Sequence, residues 1–335
     1  MTEPLLGRRA TIDDVASLAG VSRSAVSRTF TQGASVSPQT RERVVQAASS
    51  LGYRPNALAR GLTKQCNQLI AFVSGFQDNL YDAAYHDKVL SGLQAAGFRV
   101  LHVHIDGSVE VGRALIDALD IPVSVAVIAG GSIDEASIAE CIRLRTPIIL
   151  CTGETDLPAV DCINSDNAGG TRAALEHMLV RQCRRIAYIA GTSGMFSARE
   201  RLEAFLGGMH WHSLTPFAVT QAAFTYEGGL QAARQLLAGD TRPDAILCAN
   251  DAIALGALTA VRELGGLRVP EDVAIIGFDD VPQAAWPSFA LTTVCNPVAE
   301  KARAICERVI CRTRDPECES VNLRFATPLV IRGTA

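Results

Sequence analysis

At 335 residues, with 48% hydrophobic and 20% charged side chains, the chain is too long for one ordinary domain and too apolar for a disordered one. No apolar run reaches the roughly 18 residues of a membrane span, and Met1-Thr2-Glu3-Pro4-Leu5-Leu6-Gly7-Arg8-Arg9 lacks a secretory apolar segment. A cytoplasmic protein with no membrane partner is expected. The net charge of −4 hides an asymmetry: residues 1–65 carry nine Lys/Arg against four Asp/Glu, a net +5, leaving −9 for residues 66–335. A basic head on an acidic body points to a polyanion as partner for the head alone.

The first element opens at Thr11-Ile-Asp-Asp14, a Thr cap with an acid three residues on, a variant of the capping box. Ile12, Val15, Ala16 and Ala19 follow at helical spacing and Gly20 ends the helix. Ser22 then caps a second helix, with Val26 and Phe30 on one face and Arg23, Ser24, Ser27 and Arg28 on the other. A third helix starts at Ser37-Pro38 and is expected to bury Val44, Val45, Ala48 and Leu51 before Gly52 stops it. Two short helices joined through a glycine turn, the second with a polar basic face, form the pattern of a helix-turn-helix. Arginine suits guanine edges, and serine suits base edges or phosphates. Periodicity alone fits an ordinary three-helix bundle with a solvated face equally well.

Beyond Lys64, short apolar runs alternate with helical stretches. Strands are expected at Leu69–Val73, Val100–Ile105, Val123–Ala129, Pro147–Leu150, Ile186–Ala190, Ala245–Cys248, Val273–Gly277 and Pro328–Ile331. Helices are expected at Ala83–Ala96, Ala168–Val180, Ala198–Leu206, Gly229–Leu237 and Ala252–Leu264. That alternation predicts parallel sheets with helices on both faces, in two units. Ligands bind such sheets at the carboxyl ends of strands. Polar residues follow three of those ends: Ser193 to Arg201, Asn250-Asp251 and Asp279-Asp280. For Asp251 and Asp280, helix capping is the simpler reading.

The ten cysteines are scattered without a C-x-x-C pair, as expected of buried free thiols in a reducing compartment; Cys306, Cys311 and Cys318 are the only loose cluster. No metal site is expected, because zinc-type spacing is lacking. His102/His104 and His210/His212 read as structural. No G-x-S-x-G, Walker, G-x-G-x-x-G or H-E-x-x-H motif occurs, so neither a catalytic residue nor a cofactor is assigned. An enzyme on a doubly wound sheet is therefore disfavoured.

Thr11-Ile-Asp-Asp-Val-Ala-Ser-Leu-Ala-Gly-Val-Ser22, Ala25-Val-Ser-Arg28, Val36-Ser37, Thr40-Arg-Glu-Arg-Val44 and Leu51-Gly-Tyr-Arg-Pro-Asn-Ala-Leu-Ala-Arg60 resemble the headpiece of the lactose-repressor/galactose-repressor (LacI/GalR) family. Ser165-Asp-Asn167, Ser197-Ala-Arg-Glu-Arg-Leu-Glu-Ala-Phe205, Cys248-Ala-Asn-Asp251, Ile275-Ile-Gly-Phe-Asp-Asp280 and Leu291-Thr-Thr-Val294 resemble its periplasmic-binding-protein-like core. The resemblance covers nearly the whole chain. It implies an all-α helix-turn-helix headpiece (1–54), a hinge helix (55–65), and an α/β core of two doubly wound parallel-sheet lobes. The N-terminal lobe comprises 66–163 plus 295–321 and the C-terminal lobe 164–294 plus 322–335, so the chain crosses between lobes near 164, 294 and 322.

The resemblance also implies roles. Arg23, Ser24 and Arg28 match base-contacting positions, and Ser27, Ser37 and Thr40 positions near phosphates. Asn56 to Thr63 matches the hinge helix that folds on the operator, with Asn56, Ala59 and Leu62 counted as DNA-binding and Leu62 as a minor-groove wedge. Gly61 predicts a hinge disordered without DNA. Arg201, Asn250 and Asp279 match effector-gripping positions, with Ser197 and Tyr226 as neighbours. Tyr81 and Asp82 lie where the family has two aromatics; Asp82 either accepts from effector hydroxyls or a cationic group, or complements a helix dipole. The implied function is a transcription regulator, a repressor by analogy. It would bind a palindromic double-stranded operator as a homodimer and be controlled allosterically by a small molecule, a sugar or sugar acid. Because the sequence stops soon after the last strand, a dimer is expected, not a tetramer. A transporter's solute-binding protein shares the core but needs a signal peptide and has no use for a helix-turn-helix.

Overall fold

The computed structural model describes residues 8–31, 33–54, 68–75, 80–105, 111–131, 133–192 and 194–335. Two compact units emerge, residues 1–67 and 68–335, and each is described by itself. The hinge stretch 55–65, with Asn56, Ala59 and Leu62, lies outside the described residues.

The first unit holds helices α1 (Ile12–Ala19), α2 (Arg23–Thr29) and α3 (Pro38–Ser50). Every start carries the cap its sequence announced. The Thr11 hydroxyl accepts from the Asp14 amide while the Asp14 carboxylate accepts from the Thr11 amide, and Ser22 and Ser37 accept from Ala25 and Thr40. Gly20 closes α1 at φ 62°, a left-handed conformation that favours glycine. Val15, Ala16, Ala19, Val26, Val44, Ala47 and Ala48 form the core, with Phe30 and Tyr53 packed against it. Val45 and Leu51 were expected in this core but are 48% and 38% exposed; Ala47 fills the buried stripe of α3 instead. The arginine of α3 nearest its start, Arg41, donates to the Thr29 carbonyl at 2.8 Å and so closes the end of α2.

The second unit holds two six-stranded sheets. The first has the strands β1 (Leu69–Ser74), β2 (Arg99–His104), β3 (Val125–Ile128), β4 (Ile148–Leu150), β5 (Val160–Ser165) and β11 (Asn322–Phe325) in the order β11-β5-β4-β3-β1-β2, all parallel. The second has β6 (Ile186–Ala190), β7 (Ala218–Gln221), β8 (Ala245–Cys248), β9 (Ala274–Asp279), β10 (Thr292–Cys295) and β12 (Leu329–Val330) in the order β12-β10-β9-β8-β6-β7. Only the short β12 runs antiparallel there. The helices α4 (Leu80–Ala95), α5 (Val111–Ala118), α6 (Glu135–Arg143), α7 (Asn167–Val180), α8 (Phe196–Trp211), α9 (Tyr226–Leu237), α10 (Asp251–Leu264) and α11 (Val298–Arg314) cover both faces, giving the expected pair of doubly wound lobes. Ile70, Phe72, Val125, Val127, Ile149 and Ile163 point to one face of the first sheet, and Ala71, Val73, Ala126, Ile128, Ile148 and Leu150 to the other, the period-2 alternation of a sheet buried on both sides.

Three crossovers join the lobes. The first follows β5, the second runs between β10 and the helix α11 (Val298–Arg314), and the third between β11 and β12. The third crossing was expected near 322, but 322–325 pairs with β5 in the first sheet, so it falls at 326–328. The Thr327 hydroxyl donates to the Asp166 carbonyl at 2.7 Å, tying the third crossover to the first. Helix α11 returns to the first lobe and packs Ala302, Ile305 and Val309 among Tyr85, Val89 and Leu93.

Candidate functional site

Two places gather polar side chains without obvious need for them in packing. The first is the outer face of α2. Val26 and Thr29 are buried, whereas Arg23, Ser24, Ser27 and Arg28 are all exposed and share the opposite face. Their contacts are slight: Arg23 reaches Asp13 at 3.0 Å with both side chains mostly exposed, and Arg28 Nε donates to the Ser24 carbonyl at 3.3 Å. An exposed pair of this kind contributes at most about 1 kcal/mol, so Arg23 can leave Asp13 for a phosphate or base edge. Ser37, exposed, and Thr40, half-buried, stand at the start of α3, where the Ser37 hydroxyl donates to that of Thr40.

The second place is a cleft in the larger unit, with about 880 Å³ of empty space counting its open mouth. Six of the seven residues expected to hold an effector line it: Tyr81, Asp82, Ser197, Arg201, Asn250 and Asp279. The seventh, Tyr226, does not. Its ring is 43% exposed and its hydroxyl donates to Thr259 on the helix α10 (Asp251–Leu264), while Phe224, two residues earlier, takes the lining position.

Of the second-lobe residues, Asn250 and Asp279 sit at carboxyl ends of strands, and Ser197 and Arg201 on the helix that follows β6. Arg201 is 5% exposed on the helix α8 (Phe196–Trp211). Its Nε donates to Asn167 Oδ1 at 2.9 Å, its Nη1 to the Ala249 carbonyl at 2.6 Å, and its Nη2 lies 3.7 Å from Asp279. The guanidinium stacks 3.5 Å from the Phe278 ring centroid. Asp279 ends β9 at φ 125°, followed by Asp280 at φ 56°, conformations that cost non-glycine residues strain and cluster at ligand-gripping positions. Burial pushes the Asp279 carboxyl above its ordinary range, against the pull of Arg201. Asn250 caps α10 by accepting from the Ile253 amide at 2.9 Å, which turns its amide N–H groups away from the helix.

Asp251 and Asp280 were expected to cap helices, and neither does. Asp251 is fully buried in the first turn of α10, accepting from the Thr293 hydroxyl and, at 2.9 Å, from the Val281 amide. Burial raises its carboxyl to about 7. Gly277 makes room, since a Cβ there would stand 2.2 Å from Asp251 Oδ1. Asp280 pairs with Arg332 at 2.7 Å.

The first-lobe wall carries residues that the sequence did not single out. Lys301 on α11 is 5% exposed and donates to Ser165 Oγ at 2.9 Å and Tyr81 Oη at 3.2 Å. Ser165 in turn donates to Asn296 Oδ1 at 2.6 Å, and Asn296 Nδ2 donates to Asp279 at 3.1 Å. A hydrogen-bond chain thus runs from Lys301 across the second crossover to Asp279, which in turn forms a looser ion pair with Arg201 at 3.7 Å. Burial lowers the Lys301 ammonium to about 8, so it stays largely protonated at neutral pH. His86, 3% exposed, has neither ring nitrogen partnered among the described residues, and the same holds for the hydroxyl of Thr152. Desolvation lowers the His86 imidazole to about 4, so it is neutral at pH 7. Asp82 stands in the first turn of its helix (Leu80–Ala95), as the dipole reading expected, and also lines the cleft.

Residues 11–56 match the family described as bacterial regulatory proteins, lacI family, and residues 175–335 match a periplasmic-binding-protein-like domain. The chain is 31% identical to the HTH-type transcriptional regulator CelR of Thermobifida fusca, over 97% of this chain and 98% of that one. It belongs to the LacI family. Within that family it is also 29% identical to the ribose operon repressor of Haemophilus influenzae, over 92% of this chain and 93% of the other. Among solved structures, the lac repressor dimer bound to operator and the anti-inducer ONPF superposes with a TM-score of 0.86 at 28% identity, covering 98% and 99% of the two chains. A CelR–cellobiose complex superposes at 0.72 and 28% identity, covering 98% and 100%. This LacI-family chain is a helix-turn-helix transcription regulator with an effector-binding domain, and not an enzyme. No helix among the described residues is long and apolar enough to cross a membrane.

Proposed function

We propose that the protein is a cytoplasmic repressor that binds a palindromic operator as a homodimer and is controlled by a small polar effector, a sugar or sugar acid, in the cleft. The observation that carries the DNA half is the face of α2. Four polar side chains, two of them arginines, stand exposed together on a seven-residue helix whose other side is pinned by Val26 and Thr29. Such a helix offers its length to a major groove, and a two-fold dimer offers two of them to half-sites one turn apart. Arg23, Ser24 and Arg28 read base edges in this scheme, and Ser27, Ser37 and Thr40 meet phosphates. Asn56, Ala59 and Leu62 keep the roles their hinge positions imply.

For the effector half, Asp82, Ser197, Arg201, Asn250 and Asp279 hold hydroxyls, with Tyr81 beside them. Two of the similar solved structures fit this reading, one bound to cellobiose and one to operator with an anti-inducer. Binding of the effector shifts the lobes and with them operator affinity, a coupling of typically about 1–3 kcal/mol.

The test is selection of duplexes from a randomised inverted-repeat library, followed by anisotropy titration at several salt concentrations. A selected repeat should bind far more tightly than random duplex, with affinity falling steeply in salt. Arg28→Ala should weaken the selected site by about 1–3 kcal/mol with less effect on random DNA. Equal affinity for selected and random duplexes, with and without candidate sugars, overturns the reading.

A further inference from the structure

The cleft holds two buried cations and treats them differently. Arg201 has its donors directed to Asn167, the Ala249 carbonyl and, more loosely, Asp279. Lys301 has no carboxylate within 4.0 Å among the described residues. Its two hydrogen-bond acceptors are the neutral hydroxyls of Ser165 and Tyr81, and its ammonium lies 4.9 Å from the Tyr85 ring centroid. The buried carboxylate on the far side of the cleft, Asp279, is turned to Asn296 and Arg201. A buried ammonium normally has an anionic partner, because desolvation of the charge is otherwise uncompensated. Here two hydroxyls and ring faces leave room for a third, charged acceptor.

The surroundings narrow what that acceptor belongs to. Thr152 Oγ1 and both nitrogens of His86 line the same cleft without partners among the described residues. A molecule rich in hydroxyls satisfies such a wall, whereas an apolar one leaves it unsatisfied. A dianionic phosphoryl group calls for two cations, and Arg201 is already committed to protein acceptors; a carboxylate calls for one. We propose that the effector is a sugar acid, a polyhydroxylated carboxylate, and that Lys301 seats its carboxylate against the Tyr81 and Ser165 hydroxyls. This rests on the reading of the cleft as the effector site.

Calorimetry on the full chain tests it with matched probes: D-galacturonate, D-glucuronate and D-gluconate, the neutral parents D-galactose and D-glucose, and D-glucose 6-phosphate. At least one acid is expected to bind roughly tenfold or more tightly than its neutral parent. Lys301→Met is expected to remove that advantage, lowering acid affinity by about tenfold while moving the parent's by less than about threefold. A merely structural lysine would weaken both alike. Cooperative thermal unfolding checks that the variant folds, and Lys301→Gln, which keeps a donor but no charge, serves should Lys301→Met fail that check. A neutral sugar or the phosphate ester binding best, or an acid advantage that survives both substitutions, overturns the carboxylate assignment and leaves the cleft reading standing. Failure of all six compounds to bind or to alter operator affinity overturns both.

Discussion

The two walls of the cleft are built on opposite plans. On the second-lobe wall, Arg201, Asn250 and Asp279 are tied to protein partners before any ligand arrives. On the first-lobe wall, His86 and Thr152 hold polar atoms without partners among the described residues, and Lys301 holds a charge without a carboxylate within 4.0 Å among them. A wall whose groups are fixed presents a pre-organised surface to a ligand; a wall whose groups are unsatisfied gains most when the ligand completes it. The difference teaches how a shared scaffold can keep one half of a site constant and let the other set ligand class.

The fixed wall breaks most visibly at Arg201. Arg201→Leu leaves Asp279 buried without its cation and strands Asn167 Oδ1 and the Ala249 carbonyl, so unfolding free energy should fall by about 3–5 kcal/mol in urea titrations. A loss below about 1 kcal/mol would mean that this arginine is no framework, and the contrast between the walls would go with it.

The carboxylates beneath that wall give a pH signature. The Asp251 carboxyl sits at about 7 in the fold against an ordinary 3.8, so between roughly pH 4 and 7 the folded state binds more protons than the unfolded chain. Stability from this group therefore declines as pH rises through that window and is flat above it, with a slope of at most about 1.4 kcal/mol per pH unit. Asp279, raised by burial as well, adds in the same direction. Asp251→Asn should flatten the dependence of the urea midpoint between pH 4 and 7; unchanged slopes would place the proton elsewhere.

Much of this frame is written plainly in the chain, and its gaps have physical causes. The continuous apolar runs of β1, β3, β6 and β8 announce themselves, and so do the caps Thr11, Ser22 and Ser37. Strand β5 was missed because Val-Asp-Cys-Ile-Asn-Ser interrupts its apolar pattern with Asp161 and Asn164, both buried. Helix α11 was missed for the complementary reason: it buries Lys301 and Arg312, which periodicity reads as solvent-facing. Arg312 and Asp161 hide each other, paired at 2.9 and 3.0 Å with Arg308 and the Val321 amide completing the carboxylate. Neither long-range partner is visible locally. Arg201, Asn250 and Asp279 were legible because they stand in motifs at strand ends; Lys301 was not, since its partners Ser165 and Tyr81 lie 136 and 220 positions away in the chain.

At Asp82 the two plans meet, since this acid both starts a helix and lines the open wall. Asp82→Ala should weaken effector binding by roughly tenfold, about 1.4 kcal/mol. Unchanged affinity by calorimetry would remove Asp82 from the effector site.

The finest distinction lies at Thr152, whose hydroxyl has no partner among the described residues although the atom is shielded from solvent. A buried hydroxyl without a partner is a cost to the empty protein, so replacing it with a methyl of nearly the same shape should leave the ligand-free fold unchanged or raise its stability by up to about 1 kcal/mol. The same Thr152→Val change should lower effector affinity, because the hydroxyl that cost stability in the empty cleft is the one a polyol would satisfy. Opposite signs in the two measurements belong to a wall that waits for its ligand. If differential scanning calorimetry instead showed the empty protein losing 1 kcal/mol or more, the hydroxyl would have a protein or water partner of its own, and the first-lobe wall would be as self-contained as the second.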